Sequence, residues 1–239
     1  MKKQTVLLAS AGLIAALSLN TQADDTGLKG SGEFGYTNNT GNTESTAVVG
    51  AIKLDYIQPV YEVKTAFEVN NKSEDDVQTQ ERYVADLQYN RFYSDDKSYY
   101  SFVQARFETD EFADLDLDSL YSLGMGKTFI KDDVRTFKAE AGVGYQTINY
   151  ITADDTDQVV ARLKGDYTYQ INEQVAFSQD AIITGGAEQT KLEANTGLKV
   201  SMAEDLNLKA GFKYRTSSDV APGIEEVDTQ TTLTIIYDF

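Results

Sequence analysis

Val227-Asp228-Thr229-Gln230-Thr231-Thr232-Leu233-Thr234-Ile235-Ile236-Tyr237-Asp238-Phe239 closes the chain. Counting back from Phe239 in steps of two gives Tyr237, Ile235, Leu233 and Thr231, while Asp238, Thr234, Thr232 and Gln230 fall between them. A period of two, rich in β-branched and aromatic side chains, predicts a strand with one greasy face. A strand that runs to the last residue must pair with another strand. The final strand of a soluble sandwich would fit the same description, so the remainder of the chain has to decide.

From Gly30 onward the alternation recurs between turn residues. It predicts strands near 30–38, 44–57, 60–71, 80–93, 98–109, 119–130, 134–148, 157–170, 174–184, 190–202, 206–217 and 227–239. Twelve is an even number, as an antiparallel up-and-down barrel requires. Connections after even-numbered strands are tight: Gln58-Pro59, Ser94 to Lys97, Lys131 to Asp133, Asn172-Glu173 and Ala203 to Asp205. Several after odd-numbered strands are longer and acidic: Lys72 to Thr79, Asp110 to Asp118, Thr152 to Thr156 and Ser218 to Glu226. Short turns on one side and longer loops on the other suit a transmembrane β-barrel with both termini at the short-turn end.

The faces point the same way. Val48, Ile52, Leu54 and Tyr56 share a face while Lys53 and Asp55 look away; Leu206, Leu208, Ala210, Phe212 and Tyr214 oppose Lys209, Lys213 and Arg215. A dry core would put the charges outside, and a membrane barrel would put them in the lumen. Tyr56, Tyr61, Tyr93, Tyr99, Tyr167, Tyr169, Tyr237 and Phe239 all fall near short-turn ends, where an interfacial girdle would lie, and this favours the membrane barrel. The expected lumen lining is then Lys53, Glu62, Lys64, Arg82, Asp86, Lys138, Glu140, Arg162, Lys164, Asp166, Lys191, Glu193, Lys199, Lys209, Lys213 and Arg215. Barrels of 8 strands are filled by side chains and those of 16 to 18 hold water, so a filled or very narrow lumen is expected for about twelve. The segment 98–130 resists assignment: Tyr100, Phe102, Gln104, Arg106 and Glu108 mix characters on one face, and Ser122, Gly124 and Gly126 carry little side chain.

Composition removes most chemistry. There is no Cys and no His, so thiolate nucleophiles, Ser-His and Cys-His pairs and the commonest zinc ligand are absent. A net charge of −17 argues against nucleic acid as a partner. No cofactor is expected, and an enzyme is not. Gly126-Lys127-Thr128 has the tail of a phosphate loop, but Tyr121 stands where that motif needs its first Gly. Asp114, Asp116 and Asp118 lie within an acidic run that reads as a solvated outer loop, with divalent cations as an alternative partner.

Residues 1–23 read as a secretory signal peptide. Lys2 and Lys3 precede an apolar run, Val6 to Leu19, and Thr21-Gln22-Ala23 ends it before Asp24 and Asp25. The run is shorter than the roughly 20 residues of a spanning helix. Residues 24–239 are then the barrel, exported to the bacterial outer membrane.

Gly30-Ser31-Gly32-Glu33-Phe34-Gly35-Tyr36 followed by Thr40-Gly41-Asn42-Thr43-Glu44 resembles the opening of the YdiY-like family of salt-induced outer-membrane proteins, which carries a domain of unknown function. The runs Tyr121 to Lys127, Glu140 to Tyr145 and Asp228 to Phe239 are similar to later segments of that family. The terminal Phe also resembles the closing strand of bacterial outer-membrane barrels, where Tyr237 and Phe239 would serve as an assembly signal. These resemblances imply outer-membrane lipid, lipopolysaccharide and the barrel-assembly machinery as partners, and they bring no catalytic residues. The expected function is a non-enzymatic envelope protein, either a narrow porin-like channel or a structural barrel linked to salt or osmotic conditions. The alternatives are a soluble secreted β-barrel holding an apolar ligand and an outer-membrane hydrolase, the latter disfavoured by the missing His.

Overall fold

The structure is a computed structural model that describes residues 26–39, 45–220 and 225–239. The expected leader, 1–23, lies outside them. All twelve expected strands are present: β1 (Gly27–Asn39), β2 (Ser45–Ile57), β3 (Tyr61–Glu74), β4 (Val77–Phe92), β5 (Tyr99–Asp110), β6 (Leu115–Lys131), β7 (Arg135–Tyr150), β8 (Thr156–Gln170), β9 (Val175–Gly185), β10 (Thr190–Ser201), β11 (Leu206–Ser217) and β12 (Val227–Asp238). Each pairs antiparallel with its sequence neighbour, and β12 pairs with β1 to close the barrel.

The expected loop lengths need correction. Lys72 to Thr79 is not a loop: β3 and β4 run on to Asp75-Asp76, a two-residue turn with φ of 47° and 61°. Likewise Asp110 to Asp118 holds only a short 3₁₀ turn, Glu111–Ala113, before β6 begins at Leu115. Polar residues occupy both faces of these extensions, so no hydrophobic period betrays them. Asn70, Lys72 and Glu74 alternate with Asn71 and Ser73, and ladder hydrogen bonds, with side-chain ties such as Lys72 to Glu74 and Gln78 to Glu81, carry the hairpin. The asymmetry lies in strand length instead. β4, β6, β7 and β8 have 16, 17, 16 and 15 residues, whereas β9 to β12 have 11 or 12. A tilted strand needs roughly 9–11 residues to cross a hydrocarbon layer, so the β3–β8 side, apart from the 12-residue β5, rises above it as a tall wall. The side made of β9 to β12 is low.

Outward faces are apolar and bare. Leu123 is 59% exposed and Val159 72%, and between Tyr121 at the top of β6 and Phe129 at its foot lie only Leu123, Met125 and Lys127. Aromatic rings crowd the end that carries the termini. Tyr56 meets Tyr61 at 6.2 Å, Tyr61 meets Tyr89 at 5.8 Å, and Tyr237 stacks with Phe239 at 6.4 Å. Tyr36, Tyr83, Tyr121 and Tyr145 form a second exposed belt toward the other end.

Two packing details explain local sequence choices. Gly126 faces inward, and a Cβ there would lie 2.2 Å from the Tyr100 ring; one on Gly124 would lie 2.8 Å from Phe102. The glycines of β6 therefore form a shallow bed on which two inward aromatics lie, which settles the unassigned faces of 98–130. At the closing seam, Gly30 and Phe239 exchange backbone bonds of 2.7 and 2.8 Å, and the Phe239 ring covers Gly30. The tight turns of the terminal end are held by carboxylates. Asp132 accepts from the backbone of Val134 and Arg135 and pairs with the Arg135 guanidinium, chiefly the last of which holds its carboxyl below the usual range. Ser94, Ser98 and the Ser98 amide hold Asp96 at about 2.

Candidate functional site

The lumen is the site, and its chemistry follows from strand alternation. Even-numbered residues of β3 to β5 point inward, as do odd-numbered residues of β10 and β11. The centre is Arg82, 1% exposed. Its Nε donates to Glu108 at 2.7 Å, Nη1 to Glu68 at 3.2 Å, and Nη2 to Glu193 at 3.0 Å. Glu193 stands on β10, and five strands separate β10 from β4 in either direction around the barrel. The bond therefore crosses the full width of the lumen. Arg106 on β5 makes the same crossing to Glu193 at 3.3 Å and leans toward Asp86 at 3.9 Å. Arg215 on β11 reaches Asp110 on β5 at 3.7 Å and Asp228 at 3.3 Å, another diametral contact.

Further ties cross fewer strands. Lys213 pairs with Glu68, and Lys191 donates to Asp118 at 2.6 Å, where Gln146 also donates. Lys209 pairs with Glu33 at 3.1 Å while Thr234 donates to the same carboxylate; Lys199 pairs with Asp238 at 3.1 Å. The five cations of β10 and β11, namely Lys191, Lys199, Lys209, Lys213 and Arg215, form a ladder up the low wall. Three of them find their acids on the opposite, tall wall.

A second cluster sits nearer the terminal end. Glu140 accepts from Arg162 at 2.8 Å, Tyr100 at 3.0 Å and Gln88 at 2.9 Å; Gln88 continues to Asn90, which donates to Glu62 at 3.0 Å. Arg162 is fully buried, and its guanidinium lies 4.8 Å from the centre of the Phe102 ring. Two of its nitrogens have no hydrogen-bond partner, so the ring face supplies part of the compensation. Lys164 pairs with Asp166 at 3.0 Å and Lys64 with Glu62 at 3.6 Å. Lys138 sits opposite Asp166 in the ladder, and Lys53 shares the inner face with Asp55.

All the residues expected to line the lumen thus lie on its inner face. Sequence reasoning missed Arg106, Glu108, Asp110 and Asp118. The other face of β5, Tyr99, Ser101, Val103, Ala105 and Phe107, holds no charge, but the inward rings of Tyr100 and Phe102 masked that contrast. The acidic run does not converge. Asp118 turns into the lumen, Asp114 accepts from the backbone and hydroxyl of Thr152, and among the described residues no cluster of three or more acids is placed to hold a metal. Above the Arg82 level the lumen opens into a vestibule; one cavity of ≈140 Å³ is lined by Asp118, Gln146, Lys191, Glu193 and Arg215.

A closed antiparallel barrel with an apolar outside, aromatic belts and a charged inside has the fold of the outer-membrane β-barrels. Solved structures agree at the level of the fold. The COG4313 outer-membrane channel from Pseudomonas putida F1 superposes with a TM-score of 0.55 at 8% identity, covering 92% of this chain and 98% of that one. The NanC porin gives 0.51 at 11%, covering 88% and 97%, and the translocator domain of the autotransporter NalP from Neisseria meningitidis gives 0.51 at 12%, covering 91% and 90%. Residues 32–239 match the family described as protein of unknown function, DUF481, and the chain belongs to that family. It is also 26% identical to the uncharacterized protein YdiY of Escherichia coli (strain K12), over 97% of this chain and 96% of that protein.

Proposed function

We propose that this chain is a non-enzymatic outer-membrane barrel whose lumen is a narrow passage for small polar solutes or ions, held shut by ion pairs. The observation that carries the reading is the 3.0 Å contact from Arg82 to Glu193, which joins opposite walls. Cations on one wall facing acids on the other set up a transverse field, which suits hydrated ions and dipolar solutes and disfavours apolar ones. Residues 1–23 act as the export signal, Tyr237 and Phe239 are read by the barrel-assembly machinery, and the outer rim meets lipopolysaccharide. The link to salt has a physical route through the more exposed ties, such as Lys199 with Asp238, which weaken as ionic strength rises and the Debye length shrinks from about 10 Å at 0.1 M to about 3 Å at 1 M; the buried Arg82 cluster is screened far less.

Planar-bilayer recordings test this. The native protein should show rare, small openings whose frequency climbs with salt faster than bulk conductivity does. Arg82→Ser combined with Glu193→Ser should give frequent discrete openings. If the double variant, shown to be folded by heat-modifiable gel mobility, stays silent, the channel reading fails and a structural barrel replaces it.

A further inference from the structure

The vestibule above the Arg82 level is short of hydrogen-bond donors. Eight acids line its ≈140 Å³ cavity against three cations, Arg106, Lys191 and Arg215. Lys191 is taken by Asp118 at 2.6 Å, and Arg106 by Glu193 at 3.3 Å, where Arg82 also donates. Arg215 is left to serve both Asp228 at 3.3 Å and Asp110 at 3.7 Å, the latter longer than a hydrogen bond. Asp110 is only 5% exposed, so a carboxylate lining the cavity is buried with no closer cation among the described residues.

A second acceptor is open on the other side of the lumen. Gln189, in the connection between β9 and β10, lines the same cavity and is 5% exposed. Gln158 clamps its backbone, accepting from the Gln189 amide at 3.2 Å and donating to the Gln189 carbonyl at 3.3 Å. The Gln189 side-chain nitrogen donates to the Asp219 carbonyl at 2.6 Å, which fixes which way round the amide lies. Its side-chain oxygen is buried and accepts from none of the described residues. A buried acceptor without a donor is costly, so an oxygen held this firmly calls for a donor from outside the chain.

The remaining walls narrow the class of ligand. Leu115, Leu120 and Ile182 stand beside the acids and offer apolar surface. A hard inorganic cation needs clustered oxygens, and among the described residues no three acids are so placed. An anion would meet the surplus of carboxylates. A cavity of about 150 Å³ takes up benzene, so this one has room for about six non-hydrogen atoms. We propose that the vestibule binds a short-chain alkyl diammonium ion, with one ammonium at Asp110 and Asp228, the other at the Gln189 oxygen, and the methylenes against the apolar side chains. The proposal rests on the channel reading in that it names the solute, and binding can be measured apart from passage.

Calorimetric titration of the purified whole barrel, in a non-ionic detergent at neutral pH, with 1,4-diaminobutane tests it. Saturable binding at one site per chain is expected. Butylammonium, with a single charge, should bind about tenfold more weakly, as should the diamine to Asp110→Asn and to Gln189→Met. Asp95→Asn, in an exposed turn at the terminal end, should bind as the native protein does. Heat-modifiable gel mobility shows which variants are folded, and Asp228→Asn serves if either of the first two is not. No saturable binding, equal binding of succinate or 1,4-butanediol, full affinity in the folded site variants, or displacement of the diamine by calcium at matched ionic strength would overturn the site. Diamine binding by a barrel that stays silent in bilayers would break the channel reading and keep the site. Openings without diamine binding would do the reverse.

Discussion

The tall wall and the low wall solve the same closure problem in different ways. β6 and β7 are paired from Leu115↔Tyr150 down to Lys131↔Thr136, and inward rings of Tyr100 and Phe102 lie on the β6 glycines. The low wall has shorter strands, mostly small or cationic inward residues, and a seam to β1 whose described pairing ends after Phe34↔Ile235. Both sides are laddered by backbone hydrogen bonds; inward rings packed on glycines brace one, and the other sends its charges across the lumen.

The sharpest way to break this arrangement is to remove the tie between the walls. Arg82→Ala leaves Glu68, Glu108 and Glu193 facing one another without their shared cation, and should cost about 3–5 kcal/mol. The temperature at which the compact form disappears from unboiled gels would report it, and adding Glu193→Gln should restore part of the loss. Next comes the tall wall itself. Gly126→Leu pushes into the Tyr100 ring and should cost about 1–3 kcal/mol in the same assay. Gly32→Ala on β1, where an added Cβ meets nothing within 4 Å, should be close to neutral. At the seam, Phe239→Ala uncovers Gly30 and should cost about 1–2 kcal/mol, less than a fully buried ring because Phe239 is partly exposed. Its signature would be a larger pool of unclosed barrel.

The smallest effect belongs to the turns. Asp132 has its carboxyl lowered on folding, so its contribution is complete above the ordinary carboxylate value and fades as pH falls through the folded one. Asp132→Asn should therefore lower stability slightly at neutral pH, with the difference from the native protein shrinking as pH falls below about 4. A difference that is largest in acid and absent at neutral pH would refute the assignment.

Much of this was legible because one face of most strands is free of charge. Lys209, Lys213 and Arg215 against Leu208, Ala210 and Phe212 needs no structure to interpret. β5 hid its inner face because Tyr100 and Phe102 point into the lumen, and rings there look like lipid-facing rings until their glycine bed on β6 is known. The extensions to Asp75-Asp76 were illegible for a different reason: above the apolar band both faces are wet, so periodicity vanishes while the backbone ladder continues. The partners of Arg82 could not be foreseen either. Glu193 is 111 residues away, and only closure brings it across.

The clasp between Gly30 and Phe239 has a bearing on timing. The clasp joins the first described strand to the last, so until β12 is in place the sheet carries two bare edges. The first strand must wait through the synthesis of all the others before its partner exists, which makes closure a contact of the longest sequence separation and a slow one. Until Gly30 and Phe239 meet, both edges stay free to pair with something else.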